Sequence, residues 1–185
     1  ERESGRDLSH WSKLWLETAG VNTLKPEIQE TEGKISSFKV IQTTQEGHDY
    51  QRPHRMGIGF FSLESGKLKR THHLELDIDG PATEVTQLHG MTRPDLVLLN
   101  DADLAYAKVR LDEPSRLVAM ENLSGIEDSL ARTLVWTAAW DATRDGEAPA
   151  RDFIKLVLRH IASETESTTV TTLLRQLITT GNLYV

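Results

Sequence analysis

His73, Glu75 and Asp77 occupy alternate positions of one predicted strand. Alternation puts all three on the same face, and an imidazole with two carboxylates can hold a divalent cation. The neighbouring His72 points to the opposite face. Asp101-Ala-Asp103, followed by Asp112, is spaced like part of a calcium loop. Tyr106 replaces that loop's glycine, its fifth position is Ala105, and its closing acid is Asp112 instead of Glu. Gly57-Ile-Gly59 lacks the third glycine of a dinucleotide loop and falls inside a strand. The run from Gly59 to Gly66-Lys67 has the wrong spacing for a phosphate loop. None of the seven histidines is followed by Glu, so no His-Glu-x-x-His zinc helix is present. A Gly-x-Ser-x-Gly nucleophile elbow is also missing. The strand face around His73 therefore reads as solvated, and Asp101–Asp103 as an acidic turn.

The second half offers less. Trp136 and Trp140, one helical turn apart, could form a stacking platform, but Leu130, Leu134 and Ala138 around them point to core packing. Arg116, Arg132, Arg144, Arg151, Arg159 and Arg175 are scattered over helices. One of them in a groove could hold a carboxylate, and the sequence does not single it out. The expected inventory for this chain is no catalytic residue, no cofactor-binding residue and no metal ligand.

The elements that would position these groups fall into two regions. From Val21 to about Asp112 the apolar period is close to two. Ile35–Thr43, His54–Leu63 and Leu68–Ile78 read as strands, with hairpin turns at Glu32-Gly-Lys34 and Glu64-Ser-Gly-Lys67. Ala82–Leu88, Asp95–Leu99 and Ala105–Leu111 add shorter ones. Together they predict an antiparallel β-sandwich of about seven strands. After Asp112 the period becomes 3.6. Asp112-Glu-Pro114 starts a helix, and Ser124-Gly-Ile-Glu127 reads as a capping box for a second one, from about Glu127 to Thr143. Further helices begin at Pro149 and near Thr168. Paired helices with short loops predict an α-helical solenoid-like array. The fold class is thus multi-domain, β then α.

Ahead of both regions, Leu8, Trp11, Leu14, Trp15 and Thr18 form one helical stripe, with Asp7 or Ser4 available as N-cap and Gly20 as the C-terminal stop. This helix reads either as the last element of an upstream domain or as a small helix docked on this chain's own core.

The chain has 185 residues, 38% hydrophobic and 26% charged, enough for one or two packed domains. Its net charge of -7 argues against nucleic-acid or anionic-membrane partners. No apolar run approaches the ~20 residues of a membrane span. The lack of cysteine fits a reducing, cytoplasmic location. Asn122-Leu-Ser124 formally permits glycosylation, but no secretory signal supports it.

Three stretches carry a family resemblance. Ser4-Gly-Arg-Asp-Leu8 with Trp11, Trp15–Gly20 and Val21-Asn-Thr-Leu24 resembles the junction after the catalytic domain of the aminopeptidase N family, gluzincin alanyl aminopeptidases, in its actinobacterial form. Pro94–Asp112 is similar to the strand pair closing that family's β-sandwich. Ile126–Arg132 with Trp136 and Trp140-Asp141 is similar to the start of its helical domain. The resemblance implies residues 1–20 as the last helix of a catalytic domain, 21–112 as the β-sandwich and 113–185 as the start of the helical domain. It further implies a parent enzyme that removes N-terminal residues from peptides, with Zn2+ in its catalytic domain and none bound here. This segment would then serve as spacer and chamber wall, with the catalytic domain of the same polypeptide as its partner, and would be inactive alone. The family reads the substrate amine with Gly-Ala-Met-Glu-Asn. Val118-Ala-Met-Glu-Asn122 lacks the Gly and lies in a predicted helix, so Glu121 is not assigned to that role. The alternative is a stand-alone protein-interaction module without enzymatic activity.

Overall fold

A computed structural model describes Gly5 and residues 7–185. Ser4, one of the two candidate caps for the first helix, lies outside the described residues. Helix α1 (Ser9–Leu16) is followed by strands β1 (Thr23–Thr31), β2 (Lys34–Thr43), β3 (His54–Glu64) and β4 (Lys67–Ile78). Then come β5 (Ala82–Glu84), β6 (Leu96–Leu99) and β7 (Lys108–Val109), and helices α2 (Glu113–Asn122), α3 (Ser129–Arg144), α4 (Ala150–His160) and α5 (Ser167–Leu183). The order is β, then α.

The strands form two sheets, ordered β5-β2-β1-β7 and β4-β3-β6. Pairing is not antiparallel throughout, as the sequence had suggested: β7 runs parallel to β1, with Thr23 opposite Lys108 and Leu24 opposite Val109. The chain leaves β6 in one sheet and reaches β7 in the other through residues 100–107. β7 therefore cannot form a hairpin with its predecessor. The expected strand over Ala105–Leu111 shrinks to two residues, and that over Ala82–Leu88 ends in a 3-10 turn at Thr86–Leu88.

Two cores share the three-stranded sheet. Between the sheets lie Leu24, Phe38, Met56, Ile58, Phe60, Val97 and Leu99 among others. On the outer face of the same sheet, Phe61, Leu68, Leu96 and Leu98 pack with Leu123, Val135, Trp136, Phe153 and Leu173 from the helices. The four residues of β6 are all buried and alternate between the two cores. A strand covered on both faces carries a continuous apolar run instead of an alternating one, which is what Leu96-Val-Leu-Leu99 is.

The caps differ from the sequence reading at two helices. Helix α1 has Leu8, not Asp7, at its N-cap, with no side-chain cap bond, and it stops at Leu16 with Glu17, not Gly20, as C-cap. Asp112 caps α2 as expected, accepting from Ser115 N. The cap of α3 is Asp128, which accepts from Leu130 N and Ala131 N. Ser124 sits in a 3-10 turn, and its hydroxyl is bonded to His160 Nδ1 at 3.1 Å. The proposed capping box is therefore not formed. Asp competes well with Ser at such positions, and here it also meets a cation from the sheet. Helix α3 is not buried all round either, since Leu130 is largely exposed.

Candidate functional site at the junction of sheets and helices

A cluster of charged groups centres on Asp101, at the start of the 100–107 crossover. Asp101 is fully buried. Arg70 grips it with two parallel bonds, Nε to Oδ2 and Nη2 to Oδ1, both 2.8 Å. His73 Nδ1 lies 2.8 Å from the same Oδ2. Arg70 Nη2 also reaches Asp128 Oδ2 at 2.6 Å. This bond, strengthened by the backbone donors of α3, holds the Asp128 carboxyl below the usual carboxylate range. One guanidinium thus ties β4, the crossover loop and the start of α3 together.

Arg70 and His73 are three positions apart, which in a regular strand means opposite faces. They share a face because β4 bulges: Phe60 pairs with His72 and Phe61 with Arg70, leaving Thr71 as the extra residue. A bulge inverts the alternation beyond it. The paired glycines of β3 complete the site. A Cβ on Gly57 would stand 2.1 Å from the Asp101 carbonyl oxygen, and one on Gly59 would stand 2.4 Å from Asp101 Oδ2. Gly57-Ile-Gly59 is thus a bed for the Asp101 turn. The turn itself is tight, with positive φ at Asn100, Ala102 and Asp103. Buried Asn100 holds it by exchanging bonds with Ala105 N and O.

The residues singled out from the sequence are distributed as follows. His73 turns to Asp101, while Glu75 and Asp77 pair with Arg55, each at 3.3 Å. The face is occupied by ion pairs. Asp101, Asp103 and Asp112 do not converge: Asp103 accepts from Asn100, and Asp112 caps α2 while accepting from Arg93. Trp136 is buried and donates Nε1 to Glu164, and Trp140 packs on Phe153 and Tyr184. Glu121 lies in α2, largely exposed, paired with Arg159. Of the six arginines, Arg132 is the buried one. It forks onto Glu164 and donates to the carbonyls of Ile126 and Glu127. Burial pushes the Glu164 carboxyl up, but Arg132 and Trp136 together outweigh it and the net shift is downward. Among the described residues, no group of three or more His, Asp or Glu is placed to hold a metal ion.

Two groups outside the sequence inventory anchor the remaining elements. Arg110, buried on β7's C-terminal side, makes a bidentate pair with Glu147 and a 2.6 Å bond to Asp145, tying the sheets to the α3–α4 turn. Arg52, also buried, donates to the carbonyls of Leu14, Thr18, Ala19 and Gly20. These are orphan acceptors at and beyond the end of α1, so a residue from the β2–β3 connection docks the helix. Asp7 braces its start through Ser9 N and Oγ. Alternation patterns carry no signal for the Arg52 and Arg110 contacts, which join residues more than thirty positions apart.

Fold and junction define a class: two sheets followed by helices, with one sheet shared between two cores and arginine–carboxylate pairs tying sheets to helices. Comparison with known proteins gives that class a family setting. Residues 96–185 match the family described as ERAP1-like C-terminal domain. Over 184 residues the chain is 49% identical to Aminopeptidase N of Streptomyces lividans, covering 95% of this chain and 22% of that relative. The chain is thus related to aminopeptidase N over essentially its whole length, and it spans about a fifth of the relative it matches.

Proposed function

We propose that this chain is a non-catalytic segment of a zinc metallo-aminopeptidase that removes N-terminal amino acids from peptides. The observation that carries the reading is the 49% identity over 184 residues to Aminopeptidase N. In this reading residues 1–20 end the catalytic domain, 21–112 are its β-sandwich and 113–185 open its solenoid-like helical domain. The peptide substrate, the Zn2+ and the general base belong to the catalytic domain, and the parent works in the cytoplasm. Among the described residues no helix is long and apolar enough to cross a membrane.

The role of the segment is mechanical. A spacer must resist bending between the parts it joins. Sharing the β4-β3-β6 sheet between two cores supports that role, because close-packed interiors transmit displacement with little compression. The Arg70, Arg110 and Arg132 clamps add directional restraint at the points where sheet and helices meet. The helices form part of the wall of the active-site chamber.

Two measurements test this. Reading the parent gene upstream of the Glu1 codon should find His-Glu-x-x-His in frame; a start codon immediately before Glu1 would overturn the reading in favour of a stand-alone interaction module. The purified chain with added Zn2+ should release no alanine from an alanyl anilide, and zinc-dependent release would contradict its non-catalytic role.

A further inference from the structure

In an Asp-Gly pair the aspartate carboxyl and the next peptide nitrogen can close a five-membered ring, because glycine puts no side chain in the way. The chain holds two such pairs, Asp79-Gly80 and Asp145-Gly146. They are alike at the reacting atoms, and the fold treats them in opposite ways.

Asp79 follows β4 directly and is exposed. The Gly80 N–H donates to Asp79 Oδ1 at 2.8 Å. A nitrogen at that distance from Oδ1 stands beside Cγ, the carbon it would attack. The flanking backbone is held in place. Thr83 Oγ1 accepts from Asp79 N and donates to Asp79 O, both at 3.1 Å, and Gly80 O accepts from Gln42 Nε2 at 2.8 Å. Gly80 has φ +68°, and a Cβ there would meet nothing within 4 Å, so the ring has room to form. Among the described residues no cation pairs with the Asp79 carboxyl.

Asp145 is clamped. Lys108 Nζ and Arg110 Nη2 each reach its Oδ2 at 2.6 Å. The Gly146 N–H is given to Thr143 O at 3.1 Å. Carboxyl and nitrogen both have other partners, and neither is free for the other.

We propose that Asp79-Gly80 is a site of spontaneous main-chain rearrangement to isoaspartate, and that the fold protects Asp145-Gly146. First the bond from Gly80 N to Cγ forms and a Cγ–O bond breaks. The oxygen leaves as water, taking the amide proton and, from the ionised carboxylate, one proton of solvent. A water molecule then opens the imide. Breaking the bond from nitrogen to Cγ restores aspartate. Breaking the bond from nitrogen to the original carbonyl carbon leaves the chain running through Cβ and Cγ. Water is the only co-reactant, and the fold contributes by holding the reacting atoms together beforehand. The product lengthens the main chain by one carbon where Gly80 O and Pro81 O accept from the Gln42 side chain and backbone. That shift loosens β5 from β2 and disturbs the Gln42 amide bonded to His54.

The test is peptide mapping of the purified chain after long storage in warm neutral buffer made with heavy-oxygen water. Each opening of the imide leaves heavy oxygen in the residue, and fragmentation mass spectrometry separates isoaspartate from aspartate. In the folded chain, label and isoaspartate at Asp79 should exceed those at Asp145 by at least about tenfold. In guanidinium chloride, with the fold removed, the two sites should converge. The proposal is overturned if the folded chain labels neither site or labels both equally. It is also overturned if the preference for Asp79 survives in guanidinium chloride, because neighbouring residues and not the fold would then be its source.

Discussion

Arg70 and His73, three positions apart in one strand, bond to the same buried carboxylate of Asp101. The bulge at Thr71 makes this possible by switching the parity of β4 between them. Without it one of the two would point into the core between the sheets. A pair of side chains that alternation separates is thereby converted into a clamp on the crossover that joins the two sheets.

Asp101 is the common acceptor of that clamp. Asp101→Asn keeps its shape but removes the charge that Arg70 and His73 share. Arg70 is one-third exposed and retains Asp128, so the cost is at the lower end for a broken buried pair, about 2–3 kcal/mol. A shift of the urea midpoint to lower concentration, with unchanged slope, is the expected result. An unchanged midpoint would show that the clamp carries no stability.

The glycines beneath Asp101 should separate in a double-mutant test. Gly59→Ala pushes its Cβ against the Asp101 carboxylate, whereas Gly57→Ala pushes against the Asp101 carbonyl oxygen. Each costs about 1–3 kcal/mol as an overpacking change. In an Asp101→Ala background the Gly59→Ala cost should fall, because the obstructing side-chain atoms are gone. The Gly57→Ala cost should persist, because the backbone oxygen remains. Equal, additive penalties in both cycles would contradict the contacts described.

Arg52 should govern the docking of α1 alone. Trp15 stacks edge-on against His54 with ring centroids 5.3 Å apart, and the Arg52 guanidinium carbon lies 5.4 Å from the Trp15 ring centroid. Arg52→Met removes the donors to four carbonyls without touching the core between the sheets. Trp emission should shift to the red, and cleavage by a protease at low dose should appear near residues 14–20. Retention of the native emission maximum would mean that α1 docks without Arg52.

His54 makes stability depend on acid. Burial, reinforced by the nearby Arg52 charge, lowers its pKa from 6.5 to about 4. Above pH 6.5 it is neutral folded or unfolded, and its contribution is complete. As pH falls from 6.5 to about 4, the unfolded chain takes up a proton that the folded chain refuses, so stability declines by about 3 kcal/mol. Below about 4 both states are protonated and this loss stops. His160 is shifted in the same direction by burial. His54→Gln keeps a partner for Gln42 and should flatten the pH slope relative to the parent chain between pH 6.5 and 4. Parallel slopes in the two proteins would exclude His54 as the source.

Much of the architecture was legible in the residues. β2, β3, β4, the Asp112 cap and the α4 start at Pro149 fall where period and turn chemistry put them, because these signals act within a few residues. The resemblance carried by Trp15–Leu24, Pro94–Asp112 and Ile126–Asp141 was legible for the same reason, as contiguous strings. The short β7 and its parallel partner were not, since a two-residue strand has too few positions to show a period. Ser124-Gly-Ile-Glu127 misled because a capping box is a local pattern, and the local choice was overridden by Arg70 drawing Asp128 into the cap position and by His160 taking the Ser124 hydroxyl.

The sequence by itself determined the β-then-α order, the apolar β6 that two cores could cover, and the absence of a His-Glu-x-x-His string from this chain. The tertiary structure alone decided which charges meet. His73 found Asp101, Arg132 found Glu164, and Gly57 and Gly59 became a bed for a turn more than forty residues away. The physical reason is one of range. Period and capping arise from the backbone geometry of neighbouring residues, whereas an ion pair depends on where bulges and crossovers deliver distant side chains, and no local pattern encodes that placement.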